Sequence, residues 1–126
     1  MARKGFTLIE LLIVVVIVGI LALAAIPLIQ GNIDEARSSE ARAALGAMKD
    51  RARVVYQRNP SATLDKAALG LSAGELNGSY FNDSSYTVPA TTPAAWQARC
   101  DGVFSSSPSA LTLTVNLGTG SANFDR

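Results

Sequence analysis

Residues 11–33 carry no charged side chain, and a single carboxylate, Glu10, stands at the head of that apolar run. About 20 residues rising 1.5 Å each cross a hydrocarbon core of about 30 Å, so the run is expected to form a membrane-spanning helix. Glu10 lies inside the apolar stretch, because Phe6, Leu8 and Ile9 in front of it are apolar too. An ionised side chain is costly in lipid, which makes an intramembrane carboxylate a functional residue by default and raises the question of its partner. Met1-Ala2-Arg3-Lys4 is a short basic segment ahead of the run. By the positive-inside rule it keeps the N-terminus cytoplasmic and exports the remainder.

A cleavable secretory signal is one reading of this pattern, with Leu21-Ala22-Leu23-Ala24-Ala25 as its small-residue cleavage site. The run continues past that site through Pro27 to Ile33, and Glu10 would spoil a simple hydrophobic signal core. Both features favour a helix that is kept. Pro27 lacks a backbone N–H and crowds the preceding turn, so a kink or a locally melted segment is expected near residues 23–27.

Beyond residue 30 the pattern becomes amphipathic. Ile33, Ala36, Ala41, Ala44, Leu45, Met48, Ala52 and Val55 recur at helical spacing as one apolar stripe. Asp34, Glu35, Arg37, Glu40, Arg42, Lys49, Asp50, Arg51 and Arg53 form the solvated or intersubunit face. Asp34 with Arg37, and Asp50 with Arg53, are spaced for weak helical ion pairs. The Asn59-Pro60 step ends the helix.

Residues 60–126 are expected to make a small head. Residues 64–71 read as short helical turns capped by Ser61 or Thr63 and stopped by Gly70. Ser79-Tyr80-Phe81 and Ser85-Tyr86-Thr87-Val88 read as β-segments around an Asn82-Asp83-Ser84 turn. Residues 96–104 supply a further strand with Cys100 inside it. Residues 110–117 alternate strictly, placing Leu111, Leu113, Val115 and Leu117 on one face that packs on the Met48 and Val55 side of the stem. The fold class is therefore α+β: one long N-terminal helix, its hydrophobic half transmembrane and its amphipathic half packed on a head with a small antiparallel β-sheet of three or four strands.

The chain has 126 residues, no histidine and one cysteine, which excludes an internal disulfide and leaves neither a zinc site nor a histidine base. It has no glycine-rich phosphate loop, and Asp83, Asp101 and Asp125 lack the spacing of a calcium loop. No enzymatic activity, cofactor or metal is expected, and Cys100 is expected to be a buried free thiol. The net charge of +1 becomes −1 without Arg3 and Lys4, and the stem arginines are interspersed with acids, so nucleic acid is not indicated as a partner.

The stretch Gly5-Phe6-Thr7-Leu8-Ile9-Glu10-Leu11-Leu12-Ile13-Val14-Val15-Val16-Ile17-Val18-Gly19-Ile20-Leu21 closely resembles the class III signal sequence of type IV prepilins and of the related type II secretion pseudopilins. Its short leader and basic pair match the type IVa pattern. The resemblance implies a prepilin peptidase, also a methyltransferase, that cuts between Gly5 and Phe6 and N-methylates Phe6. It implies a homo-polymer built at an inner-membrane assembly platform together with minor pilins, in which the Phe6 amine and Glu10 neutralise each other between neighbouring subunits or within one. Pilins commonly carry a proline where Pro27 stands, and the helix around it can unwind on assembly. On this resemblance residues 1–5 are a leader peptide, 6–30 the transmembrane and filament-core helix, 31–59 the amphipathic stem, and 60–126 the head. The implied function is a structural subunit of an extracellular pilus serving adhesion, motility or DNA uptake, held in the bacterial inner membrane before assembly. The alternatives are a type II secretion pseudopilin, which shares the N-terminal motif, and a monomeric membrane-anchored binding module.

Overall fold

The computed structural model describes Met1 and residues 5–126, and the basic pair Arg3 and Lys4 falls outside the described residues. The dominant element is α1 (Leu8–Arg58), a single helix of 51 residues. Its N-terminal part is aliphatic and uncharged beyond Glu10, and a helix lets such a segment satisfy its backbone hydrogen bonds internally. Pro27 lies within α1, and residues on both sides of it, 23–27 included, are helical. At the C-terminal end the Asn59 N–H donates to the Val55 carbonyl at 2.9 Å, and Pro60 prevents a further turn.

The chain divides into two compact units, Met1–Ile33 and Asp34–Arg126. In the first, the large apolar side chains of Phe6, Leu8, Ile9 and all those that follow through Ile29 are exposed. The helix is long and apolar enough to cross a membrane.

The second unit holds β1 (Tyr86–Ala90), β2 (Trp96–Cys100), β3 (Leu111–Val115) and β4 (Ala122–Asp125). They form one antiparallel sheet in the order β1-β2-β3-β4. Alternation decides which face is buried. Trp96, Ala98 and Cys100 of β2 and Leu111, Leu113 and Val115 of β3 join a single core with Ala41, Leu45, Met48 and Ala52 of α1. Ala44 and Val55 are partly buried against it, whereas Ile33 and Ala36 of the expected stripe are exposed.

Three local expectations are corrected. Residues 79–81 are not a strand; a 3₁₀ turn at Asp83–Ser85, capped by Asn82, leads directly into β1. Residues 64–71 form turns rather than helix, and the capping oxygen belongs to Asp65, which accepts from the Ala68 N–H at 2.8 Å. Gly70 does stop them, with φ at +64°, a conformation costly for other residues. The fourth strand, β4, was outside the expected set of β-segments. Its side chains are mostly exposed, so it carries no apolar alternation.

Several of the stem's charges meet the head. Neither Asp34–Arg37 nor Asp50–Arg53 forms an ion pair. Asp50 instead meets Lys49 at 3.4 Å, and Arg51 meets Glu75 at 2.8 Å. Arg37 lies over the Tyr80 ring at 6.0 Å and Arg42 over Phe124 at 5.2 Å. Asp34 accepts from the Ser105 hydroxyl at 2.7 Å and the Ser105 N–H at 3.1 Å, and those bonds hold its carboxyl below the ordinary value of 3.8. Partial burial alone would raise Glu40, but N–H groups of Tyr80, Phe81 and Ser79 together hold it below its ordinary 4.5. A carboxylate whose folded pKa is depressed contributes stability above its unfolded pKa and loses it as pH falls through the folded value. The thermal midpoint of the Asp34–Arg126 unit is accordingly expected to be level above the ordinary values of 3.8 and 4.5 and to fall below them. Circular dichroism melts of the full chain in detergent at stepped pH check this, and Asp34→Asn should flatten part of the acid limb.

Candidate functional site at the N-terminal helix cap

Thr7-Leu8-Ile9-Glu10 begins α1 with a reciprocal cap. The first N–H groups of a helix lack intrahelical acceptors, and a threonine followed three residues later by a glutamate can satisfy two of them. Here the Glu10 N–H donates to Thr7 Oγ1 at 3.3 Å, while Glu10 Oε2 accepts from the Thr7 N–H at 2.8 Å and from the Thr7 hydroxyl at 2.7 Å. Thr7 was not among the expected site residues, although the T-x-x-E spacing signals it. The cap satisfies one carboxylate oxygen; Glu10 Oε1 has no hydrogen-bond partner among the described residues.

Gly5 and Phe6 lie ahead of the helix and outside regular structure. Phe6 is 82% exposed, and the space around the Gly5 Cα is open to 4 Å. The peptide between them is thus exposed backbone next to a capped helix start. Pro27 stands much further along α1, where it withholds the N–H that the Leu23 carbonyl would otherwise receive.

The remaining candidates have structural roles. Asp83 accepts from the N–H groups of Gly74 and Leu76, the latter at 3.0 Å, and Asp101 is paired with Arg99 at 2.7 Å. Asp83, Asp101 and Asp125 do not converge, and no group of three or more acidic or cysteine ligands is present among the described residues. Cys100 is a buried free thiol, and burial pushes it up to about 11. A thiol that remains protonated near neutral pH is a poor nucleophile.

Comparison with known proteins begins at the same N-terminal residues. The family described as the prokaryotic N-terminal methylation motif matches residues 1–26. The chain is 41% identical over 80 residues to the fimbrial protein EcpC of Eikenella corrodens, covering 64% of this chain and 52% of that protein. It thus spans about half the length of EcpC. It is 37% identical over 82 residues to the type IV major pilin protein PilE of Neisseria gonorrhoeae, covering 64% of this chain and 49% of PilE. Against the type IV narrow pilus major component PilA5 of Thermus thermophilus it is 33% identical over 120 residues, 93% of this chain and 97% of that one. This last match runs through the head as well as the helix, and with it the chain belongs to the type IV pilin family.

Proposed function

We propose that this chain is the structural subunit of a type IV pilus. It waits in the bacterial inner membrane as a single-pass precursor with its N-terminus in the cytoplasm. A prepilin peptidase cleaves after Gly5 and methylates the new Phe6 amine, and the subunit then polymerises with copies of itself at an inner-membrane assembly platform, alongside minor pilins. The finished filament is extracellular and serves adhesion, motility or DNA uptake. It is a structural protein and not an enzyme.

The observation that carries this reading is the carboxylate of Glu10 in an apolar helix whose side chains are exposed, bonded among the described residues through Oε2 alone. A lone charge in lipid is costly, and a paired one is tolerable. Cleavage after Gly5 creates a cationic amine at Phe6, and Oε1, which has no hydrogen-bond partner among the described residues, gives that amine a place to bind while the Thr7 cap stays closed. The amine of a neighbouring subunit would bring two helices together and neutralise both charges. Pro27 gives the helix a turn that already lacks one hydrogen bond, and this turn is the part of α1 expected to kink or unwind on assembly.

Mass analysis of the protein's N-terminus from cells tests the reading. The expected mature chain begins at N-methylated Phe6. An intact Met1 on the assembled protein would overturn it. Gly5→Val, which places a β-branched side chain beside the scissile bond, is expected to leave the full-length precursor in the membrane.

A further inference from the structure

Glu40 sits on α1 in the middle of the stem, and its carboxylate reaches a loop that follows it by about forty residues in the chain. Oε2 accepts from the Ser79 N–H at 3.0 Å, and Oε1 accepts from the N–H groups of Tyr80 and Phe81, each at 3.0 Å. Three consecutive backbone N–H groups aimed at one point make a small anion-binding concavity. No lysine or arginine among the described residues forms an ion pair with Glu40. The N–H groups are therefore its direct electrostatic partners.

Two further observations tie the fit of this carboxylate to the loop and the core. At Gly78 a Cβ would collide with the Glu40 carboxyl group, so any larger residue there requires the Glu40 carboxylate to move out of its present place. Gly78 N–H in turn donates to the Phe81 carbonyl at 2.8 Å, which curls residues 78–81 around the carboxylate. The Phe81 ring packs edge-on against Tyr86, with centroids 6.2 Å apart, and Tyr86 pairs with Cys100 across β1 and β2. Tyr86 and Cys100 are 1% and 0% exposed, so this end of the core is closed to solvent.

We infer that Glu40 is a latch: its carboxylate is the resident anion of the N–H nest at residues 79–81, and its loss releases the loop and opens the Tyr86–Cys100 end of the core. The other carboxylate beside the same groove, Glu75, is committed to Arg51 and to the Ser72 N–H, so it does not take over. The latch closes a head that has no disulfide, using one side chain of the stem. It goes beyond the assembly role of the N-terminal motif and does not depend on it.

Cys100 is the chain's one thiol and reports the latch directly. A buried thiol reacts only when its surroundings open, so its alkylation rate measures the open population. In the full chain in detergent, Glu40→Ala is expected to raise the alkylation rate by about tenfold or more, since hydrogen bonds to a charged group are lost. Sodium formate, a small carboxylate that fits the vacated nest, is expected to slow the reaction again, and sodium chloride at equal ionic strength is not. Gly78→Ala is expected to raise the rate in the otherwise unchanged chain and to add nothing in the Glu40→Ala background. An unchanged rate in Glu40→Ala, equal effects of formate and chloride, or simple additivity of the two substitutions would overturn the latch. Should Glu40→Ala fail to fold, Gly78→Ala alone decides, and wild-type alkylation there rejects the inference.

Discussion

Glu10→Leu is expected to leave the chain inserted in the membrane and to abolish filaments. Leucine extends the apolar run, so insertion becomes easier. On the proposed reading, assembly loses the only acidic group in the spanning segment, and each processed subunit would then carry the Phe6 ammonium into a low-dielectric bundle with nothing to neutralise it. Leaving one partner of a buried ion pair alone costs about 3–5 kcal/mol, so a loss of filament of at least about a hundredfold is expected, read by shearing and electron microscopy. Two companion variants separate charge from cap. Glutamine also closes a T-x-x-E/Q cap, so Glu10→Gln keeps the helix start and removes only the charge. Thr7→Val does the reverse and should cost about 1 kcal/mol of helix stability while sparing assembly. If Glu10→Gln assembled like the wild type, the pairing role would be refuted. If Thr7→Val abolished filaments and Glu10→Gln did not, Glu10 would be acting through the cap alone.

The parts of the fold that were legible in the sequence are those whose partners are local or periodic. An uncharged run of adequate length announces a spanning helix whatever surrounds it. The alternation of Leu111, Leu113 and Val115 announces a half-buried strand, and β3 has all three in the core. Glu10 and Thr7 stand three residues apart, so their cap could be read directly from the chain. What escaped was decided at long range. Glu40 looks like one charge among several on a polar face, because helical ion-pair rules examine only residues three or four apart. Its partners lie at Ser79, Tyr80 and Phe81. The same bonds explain why Ser79-Tyr80-Phe81, aromatic and β-prone, is not a strand: its N–H groups are spent on a carboxylate instead of a neighbouring strand. Asp34 was misread for the same reason, since its partner is Ser105. β4 was invisible because pairing with β3 defines it, and Phe124 is its one partly buried side chain.

The largest stability effect in the head is expected at Trp96. It is completely buried, heads β2 opposite Val115, and its Nε1–H donates to the Leu64 carbonyl at 2.8 Å. That bond fixes the segment after the stem helix to the sheet, so one side chain holds both core volume and loop. Truncation of a buried tryptophan to alanine costs about 3–5 kcal/mol, against a total of about 5–15 kcal/mol for a typical domain. For a unit of this size a loss of 1 kcal/mol lowers the melting midpoint by about 4–8 °C, so Trp96→Ala should lower it by more than about 10 °C. Trp96→Phe keeps most of the apolar bulk and removes the donor, leaving the Leu64 carbonyl unpaired at a cost of about 1–3 kcal/mol. The order wild type, Phe, Ala in full-chain melts therefore separates the hydrogen bond from the volume, and a midpoint for Ala within a few degrees of wild type would mean that Trp96 does not hold the core. Because the Gly5–Phe6 peptide and the Thr7–Glu10 cap belong to the other compact unit, Trp96→Ala precursor should still be cleaved and methylated normally. A processed subunit that accumulates in the membrane without forming filaments would then place the head's fold, and not only the N-terminal charge pair, among the requirements for assembly.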